Sequence, residues 1–385
     1  MALHSSGSLS DGEPTIRVQK LVETQLSEVP SQYIQPPDRR PSDTNNSTDL
    51  TIPVIDLFGF DPAHRQAVRA AIARESSEWG AFQVINHGIP ISLLNQMRTA
   101  GLSFFTDCPI SDKLAYACDP KSFASEGYGT QMLLDKGVDS QSSVLDWRDY
   151  FDHHTLPLSR RNPSNWPHFP SDYRELMEQY SDCMNLLAQR LLALISESIG
   201  LPSSWMEDAI TGMGAEEGFY QNITVSYYPP CPQPDLTLGL QTHSDIGAIT
   251  LLIQDNVGGL QVLSGQGDWV TVQPLSPDAI VVILADQTEI LTNGKCKSAE
   301  HRVITNSSRA RLSISAFHDP PKAVKISPAA ELSSLTTSVL KFSYTRFQDQ
   351  FDIEEKNKIF ATIAQYSIFN SRFLPIHINM LDSLK

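Results

Sequence analysis

From Phe219 onward the chain is cut into short β-rich runs: YQNITVSYYP, LTLGLQTHSD, AITLLIQD, GLQVLS, DWVTVQPL, AIVVILAD, HRVITN and RARLSISAFHD, separated by Gly, Pro, Asn and Asp. Strands this short, recurring at roughly 8–12-residue intervals, suit an antiparallel sandwich or barrel, in which each strand crosses the sheet once and turns back. No helical stretch alternates with them, which argues against a parallel doubly wound sheet.

The preceding half reads differently. IPVIDL, Ile52 to Leu57, is a compact β-branched run, and HRQAVRAAIARESSEWG has helical spacing that closes on Gly80. AFQVINHGIP reads as a buried strand and turn, and ISLLNQMRTAGLSFFTD as a second helix. Asp172 to Leu201 keeps Leu, Met and Ala on one face of a long amphipathic helix. The first 50 residues are rich in Ser, Asp, Pro and Gln, with one short helix expected in IRVQKLVETQL. The expected fold is mainly β with flanking α: a helical module bracing a β-barrel, folded as one unit.

Composition narrows the partners. Against 29 Lys and Arg stand 44 Asp and Glu, a net charge of −15, which neither nucleic acid nor an anionic membrane attracts. No apolar run reaches the roughly 18 residues of a spanning helix, and the polar N-terminus lacks a signal-peptide apolar core. Five cysteines without paired spacing suggest neither a disulfide framework nor a zinc knuckle. A soluble, cytoplasmic protein is expected.

The chemistry concentrates in two constellations. In LGLQTHSD, His243 and Asp245 are two apart, so on a strand an imidazole and a carboxylate share one face. His301 in KSAEHRV offers a third ligand, and two histidines with one carboxylate form the open-sided set typical of non-haem iron(II) oxygenases. Ten residues later, Arg311 and Ser313 again share a strand face. A guanidinium fork with an adjacent hydroxyl suits the carboxylate of a dicarboxylic co-substrate.

The stretch from Ser226 to Pro320 resembles the plant-type 2-oxoglutarate/Fe(II)-dependent dioxygenases, the group of flavonol synthase and anthocyanidin synthase. The similarity is carried by YYPPCPQPDLTLGLQTHSDIGAITLLIQDNVGGLQVL and EILTNGKCKSAEHRVITNSSRARLSISAFHDP, and in the first half by IPVIDL and EWGAFQVINHGIP. The resemblance implies a double-stranded β-helix (jelly-roll) core, in keeping with the strand-rich texture. It implies that His243, Asp245 and His301 hold Fe(2+), and that Arg311, Ser313 and Tyr228 bind 2-oxoglutarate. Dioxygen would be the second co-substrate and ascorbate a stimulant. The implied reaction hydroxylates or desaturates a small specialised metabolite (a phenolic such as a flavonoid or coumarin, an alkaloid or a terpenoid), releasing succinate and CO2. The alternatives are a plant-hormone-oxidising dioxygenase, an ascorbate-using oxidase of the same fold, and a non-catalytic binding protein. The expected organisation is a partly disordered leader (1–50), an N-terminal module (51–215), the jelly-roll core (216–350) and an atypical tail (351–385), acting as a monomer on a small-molecule substrate.

The chain departs from the family pattern in places. Ser226 stands where Asn is usual, Ile283-Leu284-Ala285 replaces Asn-Ile-Gly, and Cys296 stands where Tyr is common. Three other signals have plainer readings. GMGAEEG, Gly212 to Gly218, mimics a dinucleotide fingerprint but follows a helix, so a loop is expected. His153 and His154 are adjacent and would face opposite ways on a strand; solvated histidines are expected. Phe123, Phe151, Phe219 and Phe317 are assigned to core packing ahead of a pocket wall.

Overall fold

The computed structural model describes residues 17–41, 50–59, 62–118, 126–130, 144–212, 218–321, 324–333 and 344–345. All lie in one of the chain's two compact units, residues 1–132 with 144–346; the other, residues 133–143 with 347–385, falls outside the described residues. Phe123, most of GMGAEEG and the atypical tail are likewise outside them.

In chain order the main elements are α1 (Val18–Glu23), β1 (Val54–Asp56), α2 (Pro62–Glu78), β2 (Ala81–Ile85), α3 (Ile91–Thr106), α4 (Ile110–Leu114), β3 (Gly127–Gly129), β4 (Asp149–Leu156), α5 (Tyr173–Ser198) and α6 (Trp205–Thr211). There follow β5 (Tyr220–Tyr228), β6 (Leu238–His243), β7 (Ile249–Gln254), β8 (Leu260–Leu263), β9 (Trp269–Thr271), β10 (Ile280–Leu284), α7 (Asp286–Leu291), β11 (His301–Ile304) and β12 (Arg311–Asp319).

Two sheets hold the core. The larger has eight strands in the order β1-β2-β10-β7-β12-β5-β4-β3, and the smaller has four, β6-β11-β8-β9. Apart from the parallel β1–β2 pair, both sheets are antiparallel. The two faces of the large sheet have different neighbours. On the outer face α3 packs so closely that a Cβ added at Gly101 would sit 3.0 Å from Val225 Cγ1 and 3.6 Å from Leu312 Cδ2. On the inner face Tyr228 and Leu252 join Leu260, Val262 and Val303 of the small sheet in one buried cluster. This is a jelly-roll-like core with helices laid against one side.

The long helix α5 forms because Tyr173, Leu176, Met177, Tyr180, Met184, Leu187, Leu191 and Ile195 recur at helical spacing and are buried. Part of the leader is anchored too. The first two amide groups of α1, from Val18 and Gln19, donate to the buried Asp149 carboxyl at 2.9 and 2.8 Å, satisfying two of the donors that a helix start leaves open. Val18, Val29 and Tyr33 then pack on Trp147 and Cys231.

Strand β4 corrects the reading of the histidine pair. His153 is fully buried on the outer face, where its Nδ1 donates to the Ile223 carbonyl (2.8 Å) and its Nε2 accepts from the Tyr173 hydroxyl (3.1 Å). Burial holds its pKa down at about 3. The histidines do face opposite ways: His153 lies in the core and His154, 17% exposed, on the face toward the space between the sheets, so the expected solvated pair is not found. Phe151 and Phe219 are core residues as expected: Phe151 meets Phe104 edge-on and Phe219 meets His318.

Candidate active site

The small sheet brings the first constellation together. β6 ends at His243 and β11 begins at His301, and the two residues are register partners, so their rings lie side by side with centroids 4.2 Å apart. Asp245 lies two residues beyond His243, outside β6, so it approaches from a loop and not along a strand face as expected. Its Oδ1 lies 3.6 Å from His243 Nε2 and 3.8 Å from His301 Nε2, and the three donor groups all fall within 4.8 Å of one another. Among the described residues no other group of three or more metal-ligating side chains gathers in this way.

The surroundings prepare these groups for a cation. His243 Nδ1 donates to the Gln241 carbonyl (2.8 Å) and His301 Nδ1 to the Ala299 carbonyl (3.0 Å). A carbonyl only accepts, so each Nδ1 carries the proton and each Nε2 turns a lone pair toward Asp245. Thr250 donates to Asp245 Oδ2 at 2.6 Å, holding the carboxylate with Oδ1 toward the histidines. His243 keeps 34% of its side-chain surface open, yet desolvation, reinforced by His301, holds its pKa down at about 4. It is therefore neutral and able to ligate at physiological pH. Two imidazoles and one carboxylate with open positions fit iron(II).

The second constellation lies on the inner face of the large sheet. Arg311 is register partner to Tyr228, and Ser313 to Ser226. The Arg311 guanidinium lies over the Tyr228 ring at 4.9 Å, donates to Ser313 Oγ (3.1 Å) and to Gln254 Oε1 (3.2 Å), and leaves its buried Nε without a partner. Arg311 is 2% exposed, and among the described residues no carboxylate lies within ion-pair distance of it. A buried cation with spare donors and no counter-ion is a receptor for an anion. Ser226, which replaces the usual Asn, lies 3.4 Å from Arg148 Nη1.

Thr250, Gln241, Ala299 and Gln254 were not singled out by sequence. Two of them act through backbone carbonyls, which carry no side-chain signature. Gln254 reaches Arg311 only through the register of β7 against β12, a pairing about sixty residues apart, whereas Thr250 lies five residues after Asp245 but belongs to no motif that marks it.

Fold and site together define a non-haem iron oxygenase with a 2-oxoglutarate-type anion clamp. Known proteins agree. The model of the 2OG-Fe(II) oxygenase superfamily matches residues 219–320, and that of the non-haem dioxygenase in morphine synthesis N-terminal region matches residues 52–169. Jasmonate-induced oxygenase 1 of Arabidopsis thaliana is 39% identical over 330 residues, 84% of this chain and 79% of the relative. Flavonol synthase/flavanone 3-hydroxylase of Petunia hybrida is 37% identical over 325 residues, 84% and 89% of the two chains. Among solved structures, JOX2 in complex with 2OG, Fe and JA superposes with a TM-score of 0.75 at 35% identity, covering 93% of this chain and 94% of that one. The chain belongs to the 2OG-Fe(II) oxygenase superfamily, and within it to the plant-type dioxygenases. Among the described residues no helix is long and apolar enough to cross a membrane.

Proposed function

We propose that this dioxygenase hydroxylates or desaturates a small specialised metabolite, with His243, Asp245 and His301 holding the iron and Arg311, Ser313 and Tyr228 holding 2-oxoglutarate. When bound, the metal activates dioxygen for oxidation of a substrate C–H bond, with 2-oxoglutarate consumed to succinate and CO2. The chain's own part is geometric and electrostatic. Arg311 and Ser313 receive the distal carboxylate, so that the keto-acid end reaches toward the metal ligands, and the Tyr228 ring packs the guanidinium in place. Thr250 and the two carbonyl acceptors keep the three ligands oriented before metal arrives. The observation that carries the reading is the buried Arg311 guanidinium with no carboxylate partner among the described residues, in the same barrel as the triad.

Ascorbate as a stimulant, a monomeric state and a cytoplasmic setting complete the proposal; the last is supported by five free thiols. So does the division into a module over 51–215, a core over 216–350 and a separate tail. Relatives named for jasmonate induction keep a plant hormone as the second substrate class.

The test is anaerobic titration of the protein with iron(II) and 2-oxoglutarate, followed by the visible charge-transfer band of the chelated metal. The band should form in the wild type, vanish in His243→Ala and require far more 2-oxoglutarate in Arg311→Ala. A folded, iron-loaded wild type without the band would overturn the proposal.

A further inference from the structure

The inner face of the large sheet carries a third polar group beyond the metal ligands and the clamp. Across the sheet, Asp152 of β4 is register partner to Thr224 of β5, and Thr224 to Ser315 of β12. One row further on, His154 partners Asn222, Asn222 partners Phe317, and Phe317 partners Thr250, whose hydroxyl holds the metal ligand Asp245. Thr224 lies four residues from Tyr228 on the same strand face, so both rows look into the space between the sheets. Adjacent strands are about 4.8 Å apart, so the row from His154 to Thr250 is roughly 14 Å long, the span of a small molecule.

The Asp152 end of this floor is built and incompletely satisfied. Asp152 is 6% exposed; its Oδ1 accepts from Thr224 Oγ1 at 2.7 Å. No hydrogen bond from a described residue reaches its Oδ2, and His154 Nε2 lies 3.9 Å from it. On the next row of the same face, the Asn222 Oδ1 is buried without a partner among the described residues. Burial pushes the Asp152 carboxyl up to about 7; the Thr224 bond and Arg160 pull it back, while Glu126 and Asp319 add to the rise. His154 is neutral, held at about 4 by burial and by Arg160, so it supplies no counter-charge. Two oxygens left open on neighbouring rows of one sheet face can accept from a ligand's donor.

Resting on the dioxygenase reading above, we propose that Asp152, with Thr224, Asn222 and His154, is the substrate anchor. It takes the end of the substrate remote from the oxidised carbon, and that end carries a hydrogen-bond donor. A hydroxyl is accepted by either form of the Asp152 carboxyl, an ammonium draws it into the ionised form, and a carboxylate would meet that ionised form as a like charge. The substrate then lies across Phe317 with its reacting carbon toward the metal ligands. Among small metabolites this favours hydroxylated phenolics, alcohols and amines over free carboxylic acids.

Three probes on one scaffold test this: 3-phenylpropanol, 3-phenylpropylamine and 3-phenylpropanoate, titrated anaerobically into the full chain loaded with iron(II) and 2-oxoglutarate. Calorimetry gives the affinities, and the charge-transfer band reports an intact centre. The alcohol or the amine should bind about ten-fold or more tighter than the acid. Asp152→Asn should remove most of any amine preference, and Thr224→Val, which frees Oδ1 from its fixed partner, should change the alcohol-to-amine ratio. Equal affinity for all three, preference for the acid, binding of none, or an unchanged ratio in a folded Asp152→Asn protein would each overturn the anchor while the band persists. Loss of the band in the wild type would instead overturn the dioxygenase reading, so the two failures are distinguishable.

Discussion

At the scale of single residues, the site depends as much on groups that hold the ligands as on the ligands themselves. Thr250→Val keeps shape and volume but removes the 2.6 Å bond to Asp245. It should weaken iron(II) affinity by about 10–100-fold, the usual cost of losing such a supporting bond, as measured by metal competition. Arg311→Lys keeps the charge and loses the fork over Tyr228 and Ser313. It should raise the 2-oxoglutarate concentration for half-saturation by about ten-fold or more while iron affinity stays unchanged. His243–Asp245 and Arg311–Ser313 were legible in sequence as local pairs; strand alternation accounts for Arg311 and Ser313 on β12, whereas Asp245 meets His243 from the loop after β6. Gln254 and Asp152 were not legible, since each reaches its partner only through strand register; Thr250 is only five residues from Asp245 but belongs to no pattern that marks it.

At the scale of elements, strands and helices with strong periodicity were legible, and β4 was not. DYFDHHTL places Tyr150, Asp152 and His154 on one face and Phe151, His153 and Thr155 on the other, and nearly all are buried. With both faces covered, the alternation of apolar and polar that marks a half-exposed strand disappears, and two histidines look like surface residues. Their polarity is absorbed by neighbours that sequence spacing does not reveal. The contact between α3 and the sheet is tighter than either pattern suggests. Gly101→Val would press new methyl groups against Val225, Leu312 and Ile314. A loss of about 1–3 kcal/mol is expected in urea unfolding, with Gly101→Ala milder.

At the scale of the whole molecule, His153 ties stability to pH. Its folded pKa of about 3 lies below the usual value near 6.5, so below that value the unfolded chain binds a proton that the folded chain refuses. Its contribution is present above pH 6.5 and is lost as pH falls toward 3. Between about pH 6 and 4 the slope from this one group should approach 1.4 kcal/mol per pH unit. Unfolding of His153→Gln, compared with wild type across that window, should show a shallower acid decline; parallel curves would contradict the assignment.

The order of strands in the large sheet has a consequence for how such chains can recombine. The first half of the chain contributes β1 and β2 beyond β10 at one margin, and β4 and β3 beyond β5 at the other. The later half alone would therefore expose two open hydrogen-bonding margins along β10 and β5, templates for intermolecular pairing. A chimera that exchanged residues 219–320 with a relative would have to match both borrowed margins as well as the barrel interior. Inheritance of the two halves as a pair is thus built into the hydrogen-bonding of the sheet.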